Sequence, residues 1–234
     1  MRPILSILAP VIVVAALASC LIALPDARAS TNDGKPKITL HVGGATVKNP
    51  CVHARLSDCM DAVTEGGLDI PYYAYLLVAR GTQPSIAGAQ FGIYYTGTYE
   101  PNGVGQGVNV FGWTLCATLE FASPSPAWPS PGSGTLLTWD SVTDCQTGDV
   151  AVGGYFYLTA YDPGIMFVGA RPVDSVVKVA TCEPFEYEIL PGIDTGSAYF
   201  SSDLSAPGCN ACMKSCIDPV EPATWSGIKA GGGR

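Results

Sequence analysis

Residues 89–96 read Ala-Gln-Phe-Gly-Ile-Tyr-Tyr-Thr, and this stretch decides the fold class. In an extended chain Ala89, Phe91, Ile93 and Tyr95 lie on one face, and the residues between them lie on the other. Such alternation predicts a half-buried β-strand.

Segments of the same kind recur from residue 37 onward, rich in Val, Ile, Tyr, Phe and Thr and separated by Gly, Pro, Asn and Asp. Nine strands are predicted, at residues 37–42, 72–80, 89–96, 108–119, 135–140, 152–161, 165–169, 176–181 and 185–190. Short strands at this spacing predict an all-β fold, an antiparallel β-sandwich or jelly roll with little helix. The helical candidates are residues 56–63, with Ser57 as a possible N-cap, and residues 210–217.

The composition supports one strand-rich domain. The chain has 234 residues, of which 47% are hydrophobic and 14% charged, with 27 Gly and 19 Pro. An ordinary soluble domain has about 25% charged residues, so this chain is poor in charge and rich in turn formers. Its net charge of −8 and its lack of a Lys/Arg cluster exclude a nucleic-acid partner.

The N-terminal segment has the order of a secretory signal peptide. Arg2 precedes an apolar run over residues 4–24, and small residues at Ala27 and Ala29 fit the cleavage rule. We therefore expect residues 1–29 to be removed, residues 30–220 to form the domain, and residues 221–234 to form a flexible tail.

Two other interpretations of this segment remain open. The apolar run approaches the ~20 residues that span a bilayer, so it could be a membrane anchor. Residues 17–20 resemble a lipoprotein signal, in which Cys20 would carry the lipid. Release into the medium or onto the cell surface is favoured over both, with no membrane span in the mature chain.

Eight cysteines remain once Cys20 is set aside. An even number in an exported chain predicts four disulfides. Local loops favour Cys51 with Cys59 and Cys116 with Cys145; the other four would tie the C-terminal segment to the body, with Cys182 joined to one of the last three. The cysteines are Cys51, Cys59, Cys116, Cys145, Cys182, Cys209, Cys212 and Cys216.

The dense cluster of Cys209, Cys212 and Cys216 also has the character of a zinc site. A fourth ligand would have to come from the two histidines of the chain, and His53 is the candidate. Because an exported chain meets an oxidising compartment, paired cysteines are the favoured interpretation, and no metal site is predicted here.

The acidic residues offer two further possibilities. Glu186 and Glu188 would share one side of a strand, whereas glycosidases need two carboxylates that face each other across a cleft. A solvated edge strand is the favoured interpretation of the pair. Asp140, Asp144 and Asp149 could gather around a structural calcium ion, but their spacing does not match an EF-hand loop. No catalytic residue and no resident cofactor are predicted.

Aromatic residues are the best candidates for ligand contacts. Eleven Tyr and four Trp could form a platform for sugar rings or the anchors of a protein interface. Trp113 and Trp139 lie in predicted strands and are expected in the core. Trp128, in a Pro/Gly/Ser-rich stretch at residues 123–134, and Trp225, in the tail, are the candidate ligand-binding residues.

The strand succession at residues 86–95, 108–119, 134–139 and 152–160 resembles that of cohesin-type and related carbohydrate-binding jelly rolls. The chain also resembles uncharacterised secreted bacterial Cys-rich β-sandwich proteins that end near a motif like residues 224–229. The cohesin resemblance implies recognition of a partner module through one face of a sheet. The cysteines and the Trp128 loop depart from that family, and no binding residue is carried over.

These observations lead to one leading hypothesis and two alternatives. The leading hypothesis is an exported, non-enzymatic adhesion or recognition module at or outside a bacterial cell surface, with a polysaccharide or another surface protein as partner. The alternatives are a carbohydrate-binding module that uses exposed aromatics and a secreted hydrolase that uses Glu186, Glu188 or a neighbouring Asp.

Overall fold

Strands make up nearly all of the regular structure in the computed structural model, which describes residues 34–48, 50–54, 56, 58–103, 105–203 and 207–216, with the backbone alone at residue 53. One short helix, α1 (Pro50–His53), and a 3₁₀ turn (Cys59–Asp61) are the helical elements of these residues. The strands are β1 (Lys37–Gly44), β2 (Glu65–Gly66), β3 (Pro71–Ala79), β4 (Gly88–Tyr95), β5 (Gly97–Tyr99), β6 (Val108–Leu115), β7 (Leu119–Ala122), β8 (Ser133–Thr138), β9 (Val150–Ala160), β10 (Gly164–Gly169), β11 (Val177–Ala180), β12 (Glu186–Ile189) and β13 (Ser197–Phe200).

The strands form two sheets. A five-stranded sheet has the order β1-β3-β9-β6-β5, and an eight-stranded sheet has the order β12-β11-β4-β10-β13-β2, with β8 on the other side of β4 and β7 at its edge. The first half of β4 pairs with β11 and the second half with β10. Most pairs are antiparallel as predicted, but β5 with β6 and β13 with β2 are parallel. The all-β class is confirmed.

The core lies between the inner faces of the two sheets. Phe91 and Ile93, on the predicted inward face of residues 89–96, are fully buried in that core, but the strand is not half-buried as predicted, because Gln90 and Gly92 of its other face are buried too. Phe156 and Leu158 of β9 meet them from the five-stranded sheet. Burial of apolar side chains at about 25 cal/mol per Å² is the main term that holds such a sandwich together.

All nine predicted strands are present, and one of them is divided. The predicted strand 108–119 ends at Leu115, and a new strand begins at Leu119. The break has a topological reason: β6 belongs to the five-stranded sheet and β7 to the eight-stranded one, so the chain crosses between sheets at residues 116–118. The remaining unpredicted strands, β2, β5 and β13, have two to four residues each, too short for alternation to show.

The two predicted helices are wrong. Within residues 56–63 only the 3₁₀ turn forms, and its N-cap is Asp58, whose carboxylate accepts from the Met60 N–H at 2.9 Å. Ser57, the predicted cap, lies outside the described residues. The described part of 210–217 forms turns, in which Cys212 N–H donates to the Asn210 side-chain oxygen at 2.9 Å. Side-chain bonds of this kind compete with helix formation.

All eight cysteines form disulfides, which confirms the number but corrects the partners. Both predicted local loops are wrong, and Cys182 does not pair with the last three cysteines. The reason is topological: α1 packs against β9, the partner of β6, which ends next to Cys116, whereas the 3₁₀ turn is bound by the Asn210 side chain, which donates to the Cys59 carbonyl at 2.9 Å. The observed pairs are Cys51–Cys116, Cys59–Cys212, Cys145–Cys182 and Cys209–Cys216. One of them, Cys59–Cys212, ties the C-terminal segment to the body as expected.

The predicted signal peptide, Cys20 and the tail with Trp225 lie outside the described residues. In the part of the chain that is described, no helix has both the length and the apolar character needed to cross a bilayer.

Candidate binding face

Trp128, a predicted ligand-binding residue, packs against the core. Its indole ring lies 5.7 Å from Phe91, 5.2 Å from Trp113 and 5.6 Å from Phe156, measured between ring centroids. Its Nε1 is buried and has no hydrogen-bond partner among the described residues. The loop folds back onto the end of the sandwich, where Trp128 is partly buried, so Trp128 as a ligand-binding residue stays a prediction.

The acidic side chains discussed above are either exposed at a sheet edge or bonded to other protein groups. Glu186 and Glu188 are exposed on the edge strand β12, and Glu186 pairs with Lys178 at 3.1 Å, as the solvated-edge interpretation predicted. Asp149 pairs with Arg80 at 2.6 Å. Asp140 accepts from backbone N–H groups of its own turn at 2.7 and 2.9 Å, and this bonding holds the pKa of its carboxyl below the usual value.

The third aspartate of the proposed calcium site is also engaged elsewhere. Asp144 accepts from Thr118 at 3.2 Å and from Gln146 at 2.8 Å. Among the described residues no group of three or more His, Cys, Asp or Glu side chains is arranged to hold a metal ion.

Four tyrosines instead lie together on the outer face of the five-stranded sheet, and we call them the tyrosine strip: Tyr73, Tyr75, Tyr155 and Tyr157. In β3 the inward residue Ala74 lies between Tyr73 and Tyr75, and in β9 the inward residue Phe156 lies between Tyr155 and Tyr157. The register places Tyr73 directly opposite Tyr157 and Tyr75 directly opposite Tyr155. Directly opposed side chains in a sheet lie within contact distance, so the two strands bring the four rings together.

The four rings contact one another at inclined angles, either tilted or edge to face. The Tyr73 and Tyr155 centroids are 4.8 Å apart with planes at 66°, and Tyr73 lies 5.9 Å from Tyr157 at 53°. Tyr75 lies 5.9 Å from Tyr155 at 54°. Inclined aromatic pairs at these distances contribute about 0.5–1.5 kcal/mol each beyond their buried area, so the strip is preorganised.

Two more rings extend the strip to either side. His41 of β1 stacks on Tyr75 at 5.8 Å, and Phe111 of β6 lies 5.3 Å from Tyr157. Phe111 is the extra residue of a bulge between Val110 and Gly112, and this insertion places its ring on the outer face. Gly112 lies opposite Tyr157, and a Cβ there would meet nothing within 4 Å, so the flank of Tyr157 is open.

The strip becomes more exposed along the sheet. Tyr75 is only 3% exposed, because the segment that contains Ala54 and Leu56 packs over it and over Leu77. Tyr73 and Tyr155 are half-buried, and Tyr157 is 41% exposed. In the described chain none of the four phenolic hydroxyls bonds to another protein group.

No charged side chain belongs to the strip or to the rings that flank it. Burial lowers the pKa of His41, and its Nδ1 accepts from the Val63 N–H at 3.0 Å, so the imidazole is neutral with its proton on Nε2. Burial, with Tyr73 and Tyr155 nearby, raises the pKa of Tyr75 to about 12. The strip therefore offers aromatic surface and neutral hydroxyls.

Sequence reasoning missed these residues although a signal was present. Residues 72–75 read Tyr-Tyr-Ala-Tyr and residues 155–157 read Tyr-Phe-Tyr, so each run carries two tyrosines with the same parity. Alternating tyrosines in strands are ordinarily interpreted as core, and inward tyrosines such as Tyr95 follow the same pattern. The pairing of β3 with β9 shows that the four tyrosines share one face, and the packing of Ala74 and Phe156 in the core shows that this face is the outer one.

No family model matches the chain, and no curated protein sequence does. Among solved structures, a cohesin module from a family 33 glycoside hydrolase of Clostridium perfringens is similar at a TM-score of 0.42 and 9% identity, over 71% of this chain and 96% of that one. The sixth cohesin of Acetivibrio cellulolyticus scaffoldin B, solved in complex with a Cel5 dockerin, is similar at a TM-score of 0.41 and 7% identity, over 72% of this chain and 99% of that one. A type I cohesin–dockerin complex from Clostridium thermocellum contains a chain that is similar at a TM-score of 0.40 and 8% identity, over 70% of this chain and 93% of that one. The predicted weak resemblance to cohesin modules is confirmed, while the fold class rests on the strand pairing itself.

Proposed function

We propose that this chain is an exported, non-enzymatic recognition module that binds another protein at or outside a bacterial cell surface through the tyrosine strip. The observation that carries the proposal is a contiguous, uncharged aromatic surface on a rigid sheet. Centres of protein interfaces are enriched in aromatic residues and depleted of charge, and tyrosine is among the residues that dominate binding energy.

The strip has the features of an anchor in such an interface. Tyrosine loses little conformational entropy on binding, and its hydroxyl supplies a hydrogen bond at the edge of an apolar ring. The hydroxyls of Tyr73, Tyr155 and Tyr157 have no protein partner in the described chain, and these three residues are at least partly exposed, so they are available to a ligand. The graded exposure from Tyr75 to Tyr157 leaves a rigid base with an accessible end.

The four disulfides support the exported location, because such bonds persist in oxidising compartments. A carbohydrate partner is less well supported. Sugar rings stack on aromatic faces that lie flat and open, whereas the rings of the strip are inclined to one another at 53–67°. The packing of Trp128 against the core removes support for its use as a sugar platform.

The test is capture of partners from the extracellular and cell-envelope proteins of the source organism, followed by affinity measurement with the identified partner. Tyr157→Ala should weaken binding by about 30-fold, the effect of a hot spot of about 2 kcal/mol. Phe167→Ala is the matched control, because Phe167 is 40% exposed and stacks on Tyr94 at 5.2 Å, but on the eight-stranded sheet.

Equal affinity of wild type and Tyr157→Ala for the captured partner would refute the assignment to the strip. Depletion of the protein onto an insoluble polysaccharide, lost in Tyr157→Ala and kept in Phe167→Ala, would replace the protein partner by a sugar.

A further inference from the structure

A lysine and an aspartate from opposite ends of the described chain meet in the interior. Lys37 begins β1, and Asp194 lies in the turn before β13. Their side chains are 7% and 0% exposed, and Lys37 Nζ contacts Asp194 Oδ1. The residues are 157 positions apart in the sequence.

The backbone holds the two residues side by side. The Ile38 N–H donates to the Asp194 carbonyl at 3.0 Å, and the Gly196 N–H donates to the Ile38 carbonyl at 2.8 Å. These two bonds form a short parallel bridge between Ile38 and Thr195. The two backbones are therefore fixed side by side, so a reaction between the amine and the carboxyl is intramolecular, and well-oriented reactions of that kind reach effective molarities of about 10⁵–10⁸ M.

The two oxygens of the carboxyl have different surroundings. Oδ1 contacts Lys37, whereas Oδ2 accepts from the Leu190 N–H at 2.8 Å. The Asp194 N–H in turn donates to the Leu190 carbonyl at 2.8 Å, which fixes the turn. A backbone N–H aimed at one carboxyl oxygen is the arrangement that stabilises negative charge on that oxygen during acyl transfer.

We propose that Lys37 and Asp194 condense to an isopeptide bond in the folded protein. A proton first passes from the ammonium group to Oδ1, which leaves a neutral amine and a carboxylic acid. The lone pair of Nζ attacks Cγ, and the electron pair of the C=O bond moves to Oδ2, where the Leu190 N–H holds it.

The intermediate then collapses to the amide. The C–Oδ1 bond breaks, and Oδ1 leaves as water with the proton it already carried and a second proton from Nζ. One N–C bond forms, one C–O bond breaks and one water is released. No oxidant, reductant or other reactant takes part.

Burial favours this product. In water the hydration of ammonium and carboxylate keeps the ion pair more stable than the amide, and a buried pair has lost most of that hydration. Condensation replaces two buried formal charges by one neutral amide. The bond joins β1 of the five-stranded sheet to the turn that enters β13 of the eight-stranded sheet, so it would tie the two sheets covalently at a point that the disulfides do not cross-link.

The test is the intact mass of the full chain from a bacterial export system, measured after complete reduction and alkylation in denaturant. Wild type should be lighter than its processed sequence by the mass of one water, and a digest should yield a branched peptide that joins Lys37 to Asp194. Asp194→Asn should still form the bond but lose ammonia in place of water. Lys37→Met should have the full sequence mass.

The exposed pair Lys178–Glu186 supplies the matched control, because Lys178→Met should keep the loss of water. A wild-type mass equal to that of its processed sequence would overturn the proposal, since the pair would then be a salt bridge alone. Loss of water that persists in Lys37→Met would also overturn it, because the water would then come from a reaction without Lys37, such as succinimide formation at an aspartate. If a variant fails to fold, the wild-type digest decides the matter, because only an isopeptide bond yields the branched peptide that joins Lys37 to Asp194.

Discussion

Replacement of Trp128 by alanine separates a packing role from a ligand-contacting one. The indole contacts Phe91, Trp113 and Phe156 at centroid distances of 5.2–5.7 Å. Truncation of a buried Phe or Trp to alanine costs about 3–5 kcal/mol. Because Trp128 is only partly buried, we expect the free energy of unfolding of Trp128→Ala to fall by about 3 kcal/mol.

Trp128→Phe is the informative second variant. It removes a buried Nε1–H that has no partner in the described chain, and an unsatisfied buried donor costs about 1–3 kcal/mol. It also removes part of the ring volume that fills the end of the sandwich. The two effects oppose each other, so we expect the free energy of unfolding of Trp128→Phe to lie within about 1 kcal/mol of the wild-type value. Truncation of a core aromatic residue to alanine costs more than that.

The assay is urea unfolding of the oxidised protein followed by far-ultraviolet circular dichroism, with the slope of the transition checked for constancy among variants. A loss of about 3 kcal/mol leaves a domain of ordinary stability folded. A Trp128→Ala variant as stable as wild type would refute the packing argument and restore this residue as a candidate ligand contact.

Two further variants test buried groups and cross-links. Glu120 accepts from Trp113 Nε1 and from Thr135 Oγ1, each at 3.0 Å, and burial raises the pKa of its carboxyl above the usual 4.5. A carboxyl whose pKa is raised in the folded protein contributes its full stability below the ordinary pKa, and that contribution is lost as the pH rises through the raised pKa. The urea midpoint of wild type should therefore decline between pH 4 and 7, and that of Glu120→Gln should not. Parallel curves for the two proteins would contradict this. Removal of the Cys59–Cys212 disulfide, which spans 153 residues, should lower the free energy of unfolding by about 2–5 kcal/mol, and an unchanged melting temperature of the double alanine variant would contradict it.

The features that sequence reasoning recovered are local ones. Alternation within residues 89–96 depends only on which neighbours share a face, so the strand and the residues of its inward face were predictable. The partners of Cys51 and Cys182 depend on how distant segments pack, and local spacing misled there. The position of Trp128 also depends on long-range packing, because nothing in its Pro-rich stretch shows that the loop folds back against Phe156.

The tyrosine strip was hidden for a related reason. Tyr95 and Tyr157 have the same local pattern, yet Tyr95 is buried between the sheets and Tyr157 faces outward. The side that a strand presents to solvent is decided by which strands pair with it and by which face the second sheet covers. Those are long-range properties of the assembled sandwich, and the local pattern of a single sequence does not predict them.

We expect the Cys51–Cys116 disulfide to hold the segment that covers Tyr75, and the pKa of Tyr75 is a measure of that cover. This bond anchors α1, and Ala54 and Leu56 of the same segment pack over Tyr75 and Leu77. Burial is the largest cause of the raised Tyr75 pKa of about 12, so a loosened cover should return that pKa toward its ordinary value of 10. In the Cys51→Ala/Cys116→Ala variant, the Tyr75 ring signals followed by NMR during alkaline titration should therefore shift at lower pH. Tyr95 is the internal control, because burial in the core between the sheets raises its pKa independently of this cover. If Tyr75 titrates as in wild type while the variant stays folded, the disulfide does not hold the cover, and the rigidity of the strip comes from ring packing alone.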